Sequence, residues 1–202
     1  MLLLGDDARL VISASDLRTA SACEFAVVRQ LDVLLGRAER VEEPRDPMLD
    51  RVKALGDQHE QAELRRLSRE HPGRVRHLPT PSNTPHDLAA AMTTTLETLS
   101  SGAEVVSQAT VFDGGFVGRA DFLELTPAGW LVSDTKLARH ATVSALLQVG
   151  AYAALLLDAG APVAPIVRLV LGDGATRDDP LGEVLPVYRS RLQRGVPAAA
   201  AM

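Results

Sequence analysis

The sequence predicts an α/β domain in which helices flank a mixed sheet of about four to five strands. Helical segments lie on both sides of a strand-rich stretch, residues 104–136, which two turn signals interrupt. A further apolar strand follows the next helix, and helices packed on a sheet form the layers of this fold class. We expect one domain over residues 1–195 and a disordered tail over residues 196–202.

Composition is that of a globular protein with a sizeable core. Apolar residues make up 46% and charged residues 23% of the 202 residues. The formal net charge of −5 argues against a broad surface that coats duplex DNA, because such a surface needs basic excess. No apolar run approaches the roughly 20 residues that span a bilayer, and no secretory signal is recognisable. A cytoplasmic protein without a membrane partner is therefore expected.

The first helix of the chain is predicted after a short apolar run at residues 10–13. Ser15 or Asp16 can cap this helix, because their side-chain oxygens accept hydrogen bonds from free backbone N–H groups. Apolar residues recur along it as far as about Gly36.

A second helix is predicted over residues 47–70, with Pro47 suited to its first turn. A proline-bearing, irregular connection with a short strand near Val75 follows it. Asp87 can then cap a third helix over residues 88–99.

Three strands forming a meander are predicted next, at residues 104–112, 116–125 and 130–136. Tight-turn signals at residues 113–115 and 126–129 separate them.

The C-terminal part is predicted to contain a fourth helix over residues 142–158 and a buried-type strand over residues 165–171. Residues 183–193 are compatible with either a last strand or a short helix.

Two carboxylates and an amine are the strongest chemical signal. Asp134 and Lys136 lie two apart on a predicted strand, so both side chains project from the same face. The meander can place Asp121, on the neighbouring strand, beside Asp134. Close carboxylates repel each other unless they share a cation or proton, and Mg²⁺ prefers oxygen ligands of this kind. With a lysine to steady phosphate charge, this set suits phosphodiester hydrolysis.

Lysine is rare in this chain, since Lys53 and Lys136 are the only two among 21 basic residues. Its use at position 136 favours a special role, although an Asp-x-Lys pair on a strand can also be an ordinary surface salt bridge. Gln148 and Tyr152 are four apart and share one face of an apolar helix. They either face a site or form a hydrogen-bonded pair at the edge of the core.

Four short motifs occur in order: Gly56-x-x-His59, Gly118-x-x-Asp121, Asp134-x-Lys136 and Gln148-x-x-x-Tyr152. Their order on a helix, two strands and a helix resembles RecB-like nucleases of the PD-(D/E)xK superfamily, which include CRISPR-associated RecB-type exonucleases. The similarity covers roughly residues 10–190 and looks closest to actinobacterial RecB-like nucleases whose longer members carry a helicase region.

The resemblance implies a restriction-endonuclease-like core and a role for each motif. His59, Asp121 and Asp134 would bind the metal, with the Thr135 carbonyl as a possible fourth ligand. Lys136 would position the nucleophilic water. The nucleic acid would be contacted, or the site supported, by Gln148, Tyr152, Arg139 and His140.

The resemblance also implies Mg²⁺ or Mn²⁺ as cofactor and DNA, as single strands or ends, as substrate. A helicase region or helicase protein is a possible partner, and whether the chain is a fragment of a longer nuclease–helicase stays open. Many relatives hold an iron–sulfur cluster on four cysteines. Cys23 is the single cysteine of this sequence, so no such cluster is expected here, and we expect Cys23 to be a small buried residue.

Three hypotheses follow. The first is a metal-dependent exodeoxyribonuclease of DNA repair or recombination. The second is a catalytically inactive nuclease-fold domain that binds DNA or a helicase partner. The third is an unrelated α/β protein in which the motifs occur by chance.

Overall fold

The computed structural model describes residues 3–4, 10–41 and 44–195. The described strands are β1 (Leu3–Leu4), β2 (Leu10–Ser13), β3 (Val75–His77), β4 (Val105–Phe112), β5 (Phe116–Thr126), β6 (Gly129–Lys136), β7 (Val163–Leu171) and β8 (Thr176–Pro180). The described helices are α1 (Ala14–Ala22), α2 (Glu24–Leu34), α3 (Pro47–Glu70), α4 (Pro85–Leu99), α5 (Val143–Asp158) and α6 (Leu181–Gly195).

The α/β class with helices on a mixed sheet is confirmed, but the sheet is larger than predicted. In the described part of the chain it contains seven strands, β2 to β8, and β1 pairs with β2 at its margin. Strands β4, β5 and β6 form the predicted antiparallel meander. Strand β7 then runs parallel to β6, after the crossover through α5.

Strand β8 was not predicted because it lacks the apolar alternation of a half-buried strand. It is a charged edge strand that pairs antiparallel with β7. Arg168 of β7 forms a bidentate pair with Asp178, through Nε to Oδ1 at 2.7 Å and Nη2 to Oδ2 at 2.8 Å. Cross-strand charge pairs thus take the place of apolar contacts here.

The single N-terminal helix predicted as far as about Gly36 is wrong, since two helices occur there. Cys23 interrupts them with an extended backbone at φ −160° and ψ 105°. Cys23 is also exposed, which contradicts its expected burial. The helix begins earlier than predicted, because Ser13 is the capping residue and its N–H donates to Asp16 Oδ2 at 2.8 Å.

Two other element boundaries differ from the prediction. Thr84, not Asp87, caps α4, and its Oγ1 accepts the Asp87 N–H at 3.2 Å. Asp87 instead lies in the first turn, where a negative charge favours the helix dipole. The segment left open between strand and short helix is the helix α6. The predicted tail, residues 196–202, lies outside the described residues.

The sheet has helices on both faces. On one face, Leu67 of α3 packs with Val105 of β4 and Phe122 of β5. The larger cluster on the opposite face includes residues of α4, α5 and α6, such as Met92, Val149 and Val184. The site residues therefore reach the sheet from two sides, α3 on one and α5 on the other.

Side chains of β4 and β5 stop alternating regularly between the two faces of the sheet at one level. Residues on one face of a regular strand are an even number of positions apart. Val106 and Ala109 nevertheless both belong to the larger cluster, and so do Ala120 and Leu123, although each pair is three apart. Each strand thus contains one extra residue at this level, but the pairing register is the same on both sides of it, so neither strand bulges relative to the other.

None of the helices formed by the described residues combines the length and the apolar character needed to cross a membrane.

Candidate active site

A gap opens between β5 and β6, and the candidate site lies in it. The ladder between these strands ends at the pair Phe122–Ser133, while β6 stays paired with β7 as far as Lys136–Leu171. The same edge of β5 pairs with β2 only at Phe116 and Val117. The described ladders therefore leave residues 118–121 of β5 without a strand partner on this edge.

Asp121 bridges the gap with its side chain. Its Oδ2 accepts hydrogen bonds from the Thr135 backbone N–H and from Thr135 Oγ1, both at 2.7 Å. The carboxylate thus substitutes for the ladder acceptor that the Thr135 N–H would otherwise lack. This contact fixes Asp121 beside Asp134, its neighbour one step past the end of the ladder.

Asp134 is almost fully buried, with an exposed fraction of 1%. Its Oδ1 accepts a hydrogen bond from Gln148 Nε2 at 3.2 Å. Its Oδ2 forms a close ion pair with Lys136 Nζ. The Lys136 side chain remains 30% exposed, so the amine lies between the buried carboxylate and solvent.

Electrostatics at Asp134 disfavour its charged form. Burial raises the pKa of this carboxyl to about 7, and repulsion from Asp121 acts in the same direction. Lys136 lowers the pKa through attraction and hydrogen bonding, but it does not outweigh burial, and Glu60 adds a smaller upward contribution. A buried acid of this kind is a common mark of functional sites.

Gln148 and Tyr152 support Asp134 from α5. Gln148 Nε2 also donates to the Tyr152 hydroxyl at 2.8 Å, so one amide joins the phenol to the carboxylate. Tyr152 is buried, and its ring occupies the space that a side chain on Gly118 would need. The glycine of the Gly-x-x-Asp motif and the tyrosine of the Gln-x-x-x-Tyr motif are therefore in contact.

Helix α3 contributes His59 and Glu60 from the opposite face of the sheet. His59 is half-buried, and its Nε2 lies 3.2 Å from the carbonyl oxygen of Val170, the β7 partner of Thr135. Glu60 interacts electrostatically with Asp121, and its carboxylate accepts a hydrogen bond from Gln108 of β4. Burial raises the pKa of Glu60, the Asp121 charge raises it further, and the Gln108 bond opposes them.

Glu60, Gln108 and Arg119 are site residues that the sequence analysis missed. Glu60 is detectable, because it lies four residues after Gly56 and seven before the buried Leu67, on the stripe of α3 that faces the sheet. Arg119 lies two residues before Asp121 on β5, and its charge attracts Glu60. No sequence signal identifies Gln108.

The predicted site residues are not all brought to the gap. Asp121 and Thr135 form one hydrogen-bonded pair, and Asp134 forms a second group with Lys136, Gln148 and Tyr152. Repulsion between Asp121 and Asp134 shows that the two groups are neighbours. The contacts of Thr135 in this network use its amide and hydroxyl, and a role for its carbonyl stays a prediction. Arg139 and His140 lie in the exposed loop before Thr142, which caps α5.

The donors of the site suit a hard divalent cation, although the side chains as placed do not converge. Among the described residues, no group of three or more His, Cys, Asp and Glu is arranged to hold a metal ion. Among the described residues, the buried Asp134 Oδ2 nevertheless has Lys136 as its one close partner, and the carboxylates of Asp121 and Glu60 are close enough to repel it. Mg²⁺ and Mn²⁺ prefer oxygen ligands, and a cation would relieve this repulsion.

No protein-family model and no curated protein matches this chain.

Proposed function

We propose that the chain is a metal-dependent nuclease that hydrolyses DNA phosphodiester bonds. It would act as an exonuclease on single strands or ends, in DNA repair or recombination. The observation that carries the proposal is the joining of Asp121, Asp134 and Lys136 at the gap where β5 and β6 separate. The resemblance of the four ordered motifs to RecB-like nucleases supports the same function.

The topology is compatible with a restriction-endonuclease-like core. That core would consist of the meander β4–β5–β6, the crossover helix α5 and the parallel strand β7, with α3 on the opposite face. The acidic residues would then belong to β5 and β6, the two strands that diverge.

Asp121 and Asp134 would hold Mg²⁺ or Mn²⁺ together with His59 and the Thr135 carbonyl. A cation of this kind polarises a phosphoryl oxygen and lowers the pKa of a water molecule that attacks phosphorus. Oxygen donors dominate this set, which suits these two metals more than softer ones.

Lys136 would act on the phosphate and the attacking water. Its amine reaches the gap from the same side as Asp134 and keeps contact with solvent, where substrate arrives. A compact cation in this position orients water by hydrogen bonding and stabilises the negative charge that develops on phosphorus oxygens. Arginine, with its planar fork, would not reproduce that geometry.

Gln148 and Tyr152 would position Asp134 rather than touch the nucleic acid. The Gln148 amide is shared between the Asp134 carboxylate and the Tyr152 hydroxyl, which leaves the carboxylate few alternative orientations. Arg139 and His140 are exposed in the loop next to Lys136 and would contact backbone phosphates.

A cleavage assay tests the proposal. Labelled single-stranded and double-stranded DNA are incubated with the protein, with Mn²⁺ or with a chelator. We expect metal-dependent cleavage that falls by about a hundredfold or more in Lys136→Ala, since losing one charge-stabilising group typically removes a factor of this size. The matched control is Lys53→Ala, which removes the other lysine, on the exposed side of α3, and should leave cleavage unchanged.

The alternative is a catalytically inactive nuclease-fold domain that binds DNA or a helicase partner. The lack of a converged group of metal ligands among the described side chains favours it. Binding of labelled DNA without cleavage, in Mn²⁺ as well as in chelator, supports this alternative. The absence of both DNA binding and cleavage contradicts the nuclease and leaves, of the alternative, only a domain that binds a helicase partner.

A further inference from the structure

Gln108 and Asp121 are the two extra residues of β4 and β5, and they lie at opposing positions of these neighbouring strands. The ladder pairs Ser107 with Phe122 and Ala109 with Ala120, and it omits the two residues in between. Asp121 is also beyond the end of the ladder with β6. Its backbone is therefore released from both neighbouring strands, which leaves its side chain free to enter the gap.

The backbone of Gln108 is strained at this point. Its φ is +59°, and among the described residues it is the one residue other than glycine with a positive φ. The left-handed conformation is disfavoured for a residue with a β-carbon, and it persists only where surrounding contacts enforce it. Glycine or asparagine would suit the backbone better, so the choice of glutamine needs another reason.

The side chain of Gln108 supplies that reason, because its amide donates a hydrogen bond to Glu60 Oε1 on α3. Glu60 is half-buried and is repelled by Asp121. Without a donor at this position, repulsion would favour rotation of the carboxylate towards solvent. An asparagine side chain is one methylene shorter than that of glutamine, and glycine has no side-chain donor.

We propose that Gln108 is a positioning residue that holds Glu60 beside Asp121, so that a third carboxylate faces the gap with Asp121 and Asp134. The effect of this contact on binding of a divalent cation rests on the proposed function. The contact between Gln108 and Glu60 does not rest on it, so the contact and the proposed function can be contradicted separately.

Metal affinity provides the first experiment. Binding of Mn²⁺ to the full chain without DNA is measured by calorimetry for the wild type, Gln108→Gly, Glu60→Gln and the double variant. Glycine accepts the left-handed backbone and removes the side chain together with its amide donor. Gln108→Gly should weaken Mn²⁺ binding by about tenfold, the lower end for loss of a residue that orients a ligand. In the Glu60→Gln background its effect should stay below about twofold.

Thermal unfolding without metal tests the contact itself. Gln108→Glu places two carboxylates against each other and should lower the melting temperature. Glu60→Gln should restore it, because the hydrogen bond then forms with donor and acceptor exchanged.

The outcomes are distinct. Non-additive Mn²⁺ binding together with rescue of unfolding supports the inference. An equal effect of Gln108→Gly in both backgrounds overturns it, even if the wild type binds Mn²⁺ and cleaves DNA. A wild type that binds no Mn²⁺ contradicts the proposed function, and the rescue of unfolding then decides alone whether Gln108 holds Glu60.

Discussion

The ring of Tyr152 occupies the space beside Gly118 where any other residue would place its β-carbon. A carbon built there would lie 2.5 Å from Tyr152 Cδ1, well inside van der Waals contact. Because Tyr152 is buried and bonded to Gln148, its ring cannot simply swing outwards. The contact couples β5 to α5, and it makes the position of Asp134 depend on a residue 16 positions earlier in the sequence.

Gly118→Ala should therefore destabilise the protein by about 1–3 kcal/mol, the usual range for overpacking a tight interior. It should also reduce cleavage, since displacement of Tyr152 disturbs the Gln148 bond to Asp134. Urea unfolding measures the first effect. Gly182→Ala is the control, because a β-carbon there meets no atom within 4 Å. Equal stability of the two variants would contradict the assigned packing.

The metal-free protein should lose stability as the pH rises from about 4 to about 7. The folded state keeps a proton on Asp134 up to its raised pKa of about 7, whereas the unfolded state releases it near 3.8. The folded state thus binds more protons across this window, so the free energy of unfolding falls with increasing pH. The full effect is on the order of 4 kcal/mol, since one pKa unit corresponds to about 1.4 kcal/mol.

Asp134→Asn should remove this dependence and stabilise the metal-free protein at pH 8, while abolishing cleavage. Denaturant unfolding at several pH values, with Asp173→Asn as an exposed control, checks the slope. A variant that is less stable than the wild type at pH 8 would show that Lys136 compensates the buried charge more fully than inferred here.

Addition of Mn²⁺ should raise the melting temperature of the wild type, because a ligand that binds only the folded state stabilises it. At a hundred times its dissociation constant, the gain is about 2.7 kcal/mol. Asp121→Asn should lose most of the increase, since it removes a negative charge from the gap. A thermal shift of the same size in this variant would indicate that the metal binds elsewhere.

Thr135→Val should destabilise the protein by about 1–2 kcal/mol, because Asp121 Oδ2 loses the hydroxyl donor at 2.7 Å and keeps only the amide. Thr135→Ser retains the hydroxyl and should stay within about 0.5 kcal/mol of the wild type in urea unfolding. If valine and serine behaved alike, the hydroxyl bond would make no net contribution.

The parts of the fold that were predicted are those with strong local patterns. The meander of β4, β5 and β6 follows from two turn signals, and the first of them is realised by Asp113, whose Oδ1 accepts the N–H groups of Gly115 and Phe116. Helix α3 follows from Asp46 and Pro47, and the Met48 N–H does bond to Asp46 at 2.9 Å. Each of these signals acts within a few residues.

Features that depend on distant contacts were missed. Strand β8 pairs with β7 through the backbone, and Arg168 binds Asp178 across this ladder. A charged segment alone gives no strand signal. The break at Cys23 leaves no mark in the apolar spacing of the segment. In the site, Asp134 and Lys136 were predicted from their two-residue spacing and Asp121 from the meander. Gln108 became visible only once the sheet brought β4 against α3.

The opposed extra residues at Gln108 and Asp121 constrain how the length of this sheet can change in evolution. Deleting one of them alone would leave its strand a residue short of its neighbour and exchange the inner and outer faces of every position beyond the deletion. A residue can be lost or gained at this level only if β4 and β5 both change by one residue. Loops elsewhere can vary one residue at a time, but here the two strands must change length together.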